Sequence, residues 1–108
     1  VGVRRSLSYI QTKLKDLTEF ALFEPNGPDL WDEVSTRLNN WLGLYYQQGA
    51  LRGRREPEAF YVVCDSSNNT SATIQAGELH ITVGVALEYP AEFIIIRLTQ
   101  SEGSVRIS

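Results

Sequence analysis

Leu79-His80-Ile81-Thr82-Val83-Gly84-Val85-Ala86-Leu87-Glu88 is the stretch on which the fold turns. Every second residue from Leu79 to Leu87 is a large aliphatic, while His80, Thr82, Gly84, Ala86 and Glu88 fall between them. Side chains alternate across a strand, so this pattern predicts a strand over 79–88 with one face on a core. Glu88-Tyr89-Pro90-Ala91 reads as a bend, and a second long strand follows over about 92–98. Its four consecutive apolar residues, Phe93-Ile94-Ile95-Ile96, imply burial on both faces. Upstream, Ala59-Phe60-Tyr61-Val62-Val63-Cys64 is a short β-rich run, and Ser66 to Gly77 is a polar loop. A weaker strand is expected over Ser104 to Ile107.

Before residue 50 the period is helical. Val3, Leu7, Ile10, Leu14, Leu17 and Ala21 recur at spacings of three and four, which predicts an amphipathic helix over about 3–23. Tyr9, Phe20 and Phe23 lie off that stripe and imply a wider buried face. Glu24-Pro25-Asn26-Gly27-Pro28-Asp29 breaks the helix, with Asp29 as the expected N-cap of a second helix over about 30–48. Trp31, Val34, Leu38, Trp41 and Tyr45 mark its inner face, broadened by Leu30, Leu42 and Leu44, and Gly49 is placed for a left-handed stop. Helix, helix and then three main strands predict an α+β domain, two amphipathic helices packed on one face of a small, mainly antiparallel sheet. Such a sheet keeps an uncovered face and open edges. Phe93 to Leu98 is too apolar for a bare edge, so strands from neighbouring chains are expected to complete it.

The composition narrows the function classes. A chain of 108 residues with 43% apolar and 21% charged side chains suits one ordinary domain rather than a disordered tail. A net charge of −3 argues against nucleic acid as the main partner, and no apolar run is long enough to cross a bilayer. One cysteine excludes a disulfide framework. No charged-then-apolar leader opens the chain, so no secretory signal is expected. The chain has no methionine and its helical pattern is already in phase at Val3, which predicts a piece of a longer polypeptide.

Chemistry is sparse. His80 and Cys64 sit on neighbouring strands and offer a base and a nucleophile; the plainer reading is a half-exposed histidine and a buried thiol. There is no phosphate loop, paired metal-ligand motif or nucleophile elbow, so no catalytic, cofactor or metal residues are expected. Arg52, Arg54 and Arg55 form a basic cluster followed by Glu56 and Glu58, which suits a solvated loop or a protein-contact surface. Asn68 and Asn69 each begin a glycosylation sequon that means little without secretion.

Phe23-Glu24-Pro25-Asn26 with Leu30-Trp31, Gly49-Ala50-Leu51-Arg52-Gly53, Glu58 to Asp65, Val83-Gly84-Val85-Ala86 and Pro90-Ala91-Glu92-Phe93-Ile94 lie in order along the chain. Together they resemble the C-terminal domain of contractile tail sheath proteins, found in contractile phage tails, R-type bacteriocins and contractile injection systems. The resemblance covers about residues 4 to 100. Leu87-Glu88-Tyr89 and Arg54-Arg55-Glu56-Pro57 depart from the family pattern, and 101–108 extends past its usual end. The resemblance implies an inner, tube-facing domain (here 1–100) of a structural subunit that polymerises around a tube and contracts, with no nucleotide site and with the rest of the protein upstream. It also implies strands exchanged between copies, with Phe93, Ile94, Ile95, Ile96, Arg97 and Leu98 as the intersubunit strand donated to a neighbouring copy. Other implied partners are the inner tube protein and baseplate and terminator proteins, with assembly in the bacterial cytoplasm into a virion tail or phage-tail-like particle. Arg4, Arg5, Lys13 and Lys15 on the first helix are candidates for a charge-based grip on the tube, in competition with Arg52, Arg54 and Arg55. The competing readings are a small Cys/His enzyme and an adaptor that accepts a foreign peptide strand.

Overall fold

The apolar period changes from three or four to two along this chain, and the backbone follows it. The computed structural model describes residues 3–24, 27–49, 51–87, 93–101 and 104–107. Helix α1 spans Val3–Thr18 and tightens into a 3-10 turn over Glu19–Phe23; α2 spans Pro28–Gln47. Gly27 rather than Asp29 takes the N-cap position of α2. Pro28 is the cause: its fixed φ and missing N–H suit the first helical residue, so the helix starts before Asp29. Asp29 instead occupies the first turn, where its carboxylate complements the positive end of the helix. At the other end Gly49 adopts φ +83°, the left-handed stop expected there.

Two short helices were not legible from periodicity, α3 over Glu56–Ala59 and α4 over Ser71–Gln75. The second starts on a reciprocal cap in which Thr70 and Thr73 each bond the other's backbone N–H, which orders a loop that composition marked only as polar.

Strands β1 (Phe60–Val63), β2 (Leu79–Ala86), β3 (Phe93–Ser101) and β4 (Ser104–Ile107) form an antiparallel meander in chain order. The domain is α+β, as the element order predicts. The strand expected to end near Leu98 runs on to Ser101, because β4 folds back to pair with its last four residues. The segment beyond 100 therefore supplies a strand to this sheet.

One core lies between the sheet and the helices. Leu79, Ile81, Val83 and Val85 of β2, Ile96 and Leu98 of β3, and Phe60 of β1 are buried against Ile10 and Leu14 of α1 and Leu30, Trp31, Val34, Leu38 and Leu42 of α2. Each such side chain contributes roughly 1.5–3 kcal/mol. Two residues read as inward are not: Leu44 is 59% and Tyr9 49% exposed. Tyr9 instead covers a second aromatic layer, its ring centroid 6.2 Å from that of Trp41 and 5.9 Å from that of Tyr45. One polar tie crosses the core edge: the buried Gln100 amide of β3 donates to the Thr18 carbonyl at 2.5 Å. The Thr18 hydroxyl in turn donates to the Leu14 carbonyl at 2.8 Å, so both buried polar groups are satisfied.

Candidate functional site

The strand expected to be donated to a neighbouring copy is β3, which instead pairs with β2 of its own chain and so offers an accepting edge. Its register with β2 sets Phe93 opposite Ala86, Ile95 opposite Gly84 and Arg97 opposite Thr82. On its other side β4 reaches only Leu98 to Ser101. Among the described residues, nothing pairs with the outer edge of β3 from Phe93 to Arg97. An antiparallel strand aims alternate peptide groups outward, so this edge presents free main-chain donors and acceptors.

The six residues of the expected intersubunit strand divide by face. Ile96 and Leu98 are buried in their own chain's core, and Ile94 is half-buried against it. Phe93 and Ile95 point the other way and are 40% and 38% exposed, and Arg97 is exposed beside them. Within one chain the apolar run is thus buried on one face only, because strand alternation gives the helices Ile94 and Ile96 and leaves Phe93 and Ile95 to the open side.

That open side has two halves. At one end Tyr61 of β1 lies across Gly84, so closely that a Cβ at 84 would sit 2.1 Å from its ring. The same ring meets Phe93 edge-on, centroids 5.0 Å apart. Tyr61, Phe93 and Ile95 therefore form an apolar platform over Gly84 and Ala86. A glycine inside an alternating strand signals a close approach of this kind. The other half is mostly polar: Thr82 lies between Val63 and Arg97, and His80 beside Thr99, which in turn lies beside Arg106. The His80 ring sits between Glu78 Oε1 at 3.2 Å and Thr99 Oγ1 at 3.4 Å.

The structure does not join Cys64 to His80. Cys64 is buried among core residues on the helix side of the sheet, whereas His80 belongs to the open side. Burial pushes the thiol up to about 12, aided by the adjacent Asp65 carboxylate, which is the reverse of an activated nucleophile. Its polar neighbour is Asn69, whose Nδ2 lies 3.9 Å from Sγ. Asn69 is itself buried, and its amide donates to the His80 carbonyl at 2.9 Å and accepts from the His80 N–H at 2.8 Å. A sequon asparagine thus serves as a pairing group for β2 just where β1 has ended. Asp65 closes the same turn: the Ser67 hydroxyl and backbone N–H hold its carboxyl below the usual range.

The two basic groups converge in part. Tyr9 packs on Trp41 and Tyr45, and Arg37 lies 4.0 Å over the Phe20 ring, so α1 and α2 run antiparallel. Arg5, in the first turns of α1, therefore lies at the end of the helix pair where α2 stops and the Arg52–Arg55 loop begins. The Arg52 backbone N–H reaches the Ala86 carbonyl at 2.8 Å, and the Tyr46 hydroxyl reaches the Gly53 carbonyl at 3.2 Å, which pins that loop. Gly53 at φ +135° is packed against the backbone of Glu58 and Ala59, so only glycine fits. Arg52, Arg54 and Arg55 are exposed, with Arg55 3.9 Å from Glu58. Lys13 and Lys15 lie two to three turns further along α1, away from this group. The Arg4 side chain, and Pro25, Asn26, Ala50, Glu88, Tyr89, Pro90, Ala91 and Glu92 of the quoted segments, with the expected bend over 88–91, lie outside the described residues.

Over 93% of its length the chain is 37% identical to a chain in the cryo-EM structure of the anti-feeding prophage (AFP) baseplate, 6-fold symmetrised, with a TM-score of 0.76. The chain resembles a protein of a contractile injection system. It spans 28% of the length of that neighbour. No protein-family model matches the chain. No curated protein matches it. Among the described residues no helix is long and apolar enough to cross a membrane.

Proposed function

We propose that this chain is the inner domain of a contractile tail sheath subunit, which polymerises around a tube by sharing strands between copies. The observation that carries the reading is the edge of β3, open from Phe93 to Arg97 beside an apolar platform, in a chain similar to part of a contractile particle. A donated strand would bond the free peptide groups and lay its alternate side chains against Phe93 and Ile95. That joint is made of main-chain bonds along a fixed register, so it persists while the rest of the subunit turns. The contraction energy comes from surfaces meeting between layers, and the inner tube protein is the second partner in this reading. The same similarity favours a second reading, a subunit of the baseplate itself, which forms one closed ring where a sheath forms a tube.

The test is electron microscopy of the protein expressed at its full encoded length, with wild type and Ile95→Asp side by side. Hollow tubes from wild type and none from a folded Ile95→Asp protein are expected. Tubes from the variant would reject strand sharing at this edge, and isolated rings from wild type would favour the baseplate reading.

A further inference from the structure

We propose that copies of this chain meet head-to-tail through the helical layer, the basic end of one against the acidic end of the next. The inference rests on the reading above only in that like copies assemble; the surface and the partner come from how charge is laid along the two helices.

The antiparallel pairing of α1 and α2 gathers charges from distant parts of the sequence. At one end lie Arg5 and the exposed Arg52, Arg54 and Arg55, opposed by Glu56 and Glu58. At the other lie Asp16 and Glu19 from the end of α1, Glu24 from the connection, and Asp29, Asp32 and Glu33 from the start of α2, all exposed. Lys13, Lys15 and Arg37 oppose these six among the described residues there, and Arg37 is engaged with Glu33 at 3.4 Å and with the Phe20 ring. The chain as a whole is close to neutral for its size, at −3, so the separation of sign is the feature.

Distance makes it consequential. Eleven or more residues of helix, at about 1.5 Å each, separate Arg5 from Asp16 and Glu19, roughly 16–20 Å. Screening in physiological salt acts over about 8 Å. The two ends of one molecule therefore do not neutralise each other, and each presents its sign to solvent. A surface of opposite sign is available at the far end of another copy. A contact between unlike ends is heterologous, so it extends into a ring or an open helix and does not close as a pair. The basic end also carries an apolar anchor point: Leu44 stands on the rim of an open groove of about 490 Å³ between α2 and α3, lined by Asn39, Asn40, Gly43, Gln47 and Glu56. An exposed leucine inside a polar rim, with the arginine loop nearby, is the layout of a contact that is steered by charge and held by burial.

The experiment is charge reversal read by sedimentation velocity on the full chain, at about 0.02 M and about 0.5 M salt. One variant carries Arg5→Glu, Arg54→Glu and Arg55→Glu; the other carries Asp16→Lys, Glu19→Lys and Asp32→Lys. Wild type is expected to self-associate at low salt and to lose at least about tenfold in affinity at high salt. Each variant alone should associate at least about tenfold more weakly than wild type, and an equimolar mixture should recover to within about threefold of it. A chain with all six substitutions should also recover, which guards against misfolding of either triple variant; circular dichroism confirms the fold. A monomeric wild type at low salt, or a mixture no stronger than its components, overturns the proposal. Tubes in the micrographs with failed recovery would sink only this inference, and recovery without tubes or rings would sink only the contractile reading.

Discussion

The two faces of the sheet obey the same alternation and meet opposite fates. The inward face (Phe60, Val83, Val85, Ile96, Leu98) is closed by α1 and α2, and these five residues are at most 6% exposed. The outward face carries Tyr61, Phe93 and Ile95 at one end and His80, Arg97 and Arg106 at the other, and no element of the described chain covers it. One face is thus self-sufficient and the other is unfinished. The difference teaches where to look for partners: an apolar residue on β3 has a structural role if its number is even and an external one if it is odd.

The sharpest break in that comparison is Ile96→Ala against Ile95→Ala. The first should lose about 2–5 kcal/mol of stability in denaturant unfolding, by removing core contacts and leaving a cavity. The second should stay within about 0.5 kcal/mol, as surface changes do. Equal losses would mean that the outward face is packed after all. A smaller effect, about 1–3 kcal/mol, is expected from Gly84→Ala, which forces Tyr61 off its seat and disturbs Phe93. Removing the ring with Tyr61→Ala should cancel most of that cost in a double-mutant cycle; no coupling would refute the close approach.

The smallest effect is on the inward side and appears only in alkali. Cys64 titrates at about 12 when folded, against an ordinary value of 9.0. Because the folded value is the higher one, the unfolded chain loses its proton first, and this contribution is intact below about pH 9 and fades as pH rises toward 12. Stability should drop by about 1 kcal/mol by pH 10 relative to a Cys64→Ala control. A flat difference between the two proteins would put the thiol in water.

The alternation in β2 and the stripes of α1 and α2 were readable because each element is long enough to repeat its period. Elements α3 and α4 were not, since four or five residues complete little more than one helical turn. Phe93 to Ile96 is buried on one face only within the described chain. A continuous apolar run marks burial on both faces only when something covers the second one, and here nothing in the described chain does. The end-to-end separation of charge was invisible in the sequence because Asp16, Glu24 and Asp32 fall at one end, and Arg5 and Arg54 at the other, only once the helices pack antiparallel. Asn69 was read through its sequon, and its pairing with His80 depends on a turn that brings together residues eleven apart.

That turn also sets how the molecule ages. Spontaneous deamidation of an exposed asparagine such as Asn39 adds a charge to a surface that tolerates it. The same hydrolysis at Asn69 replaces the N–H that serves the His80 carbonyl with a second oxygen facing it, inside a site closed to water. Burial slows that reaction while the fold holds, so a stored sample in which residue 69 converts first has been opening at the start of β2.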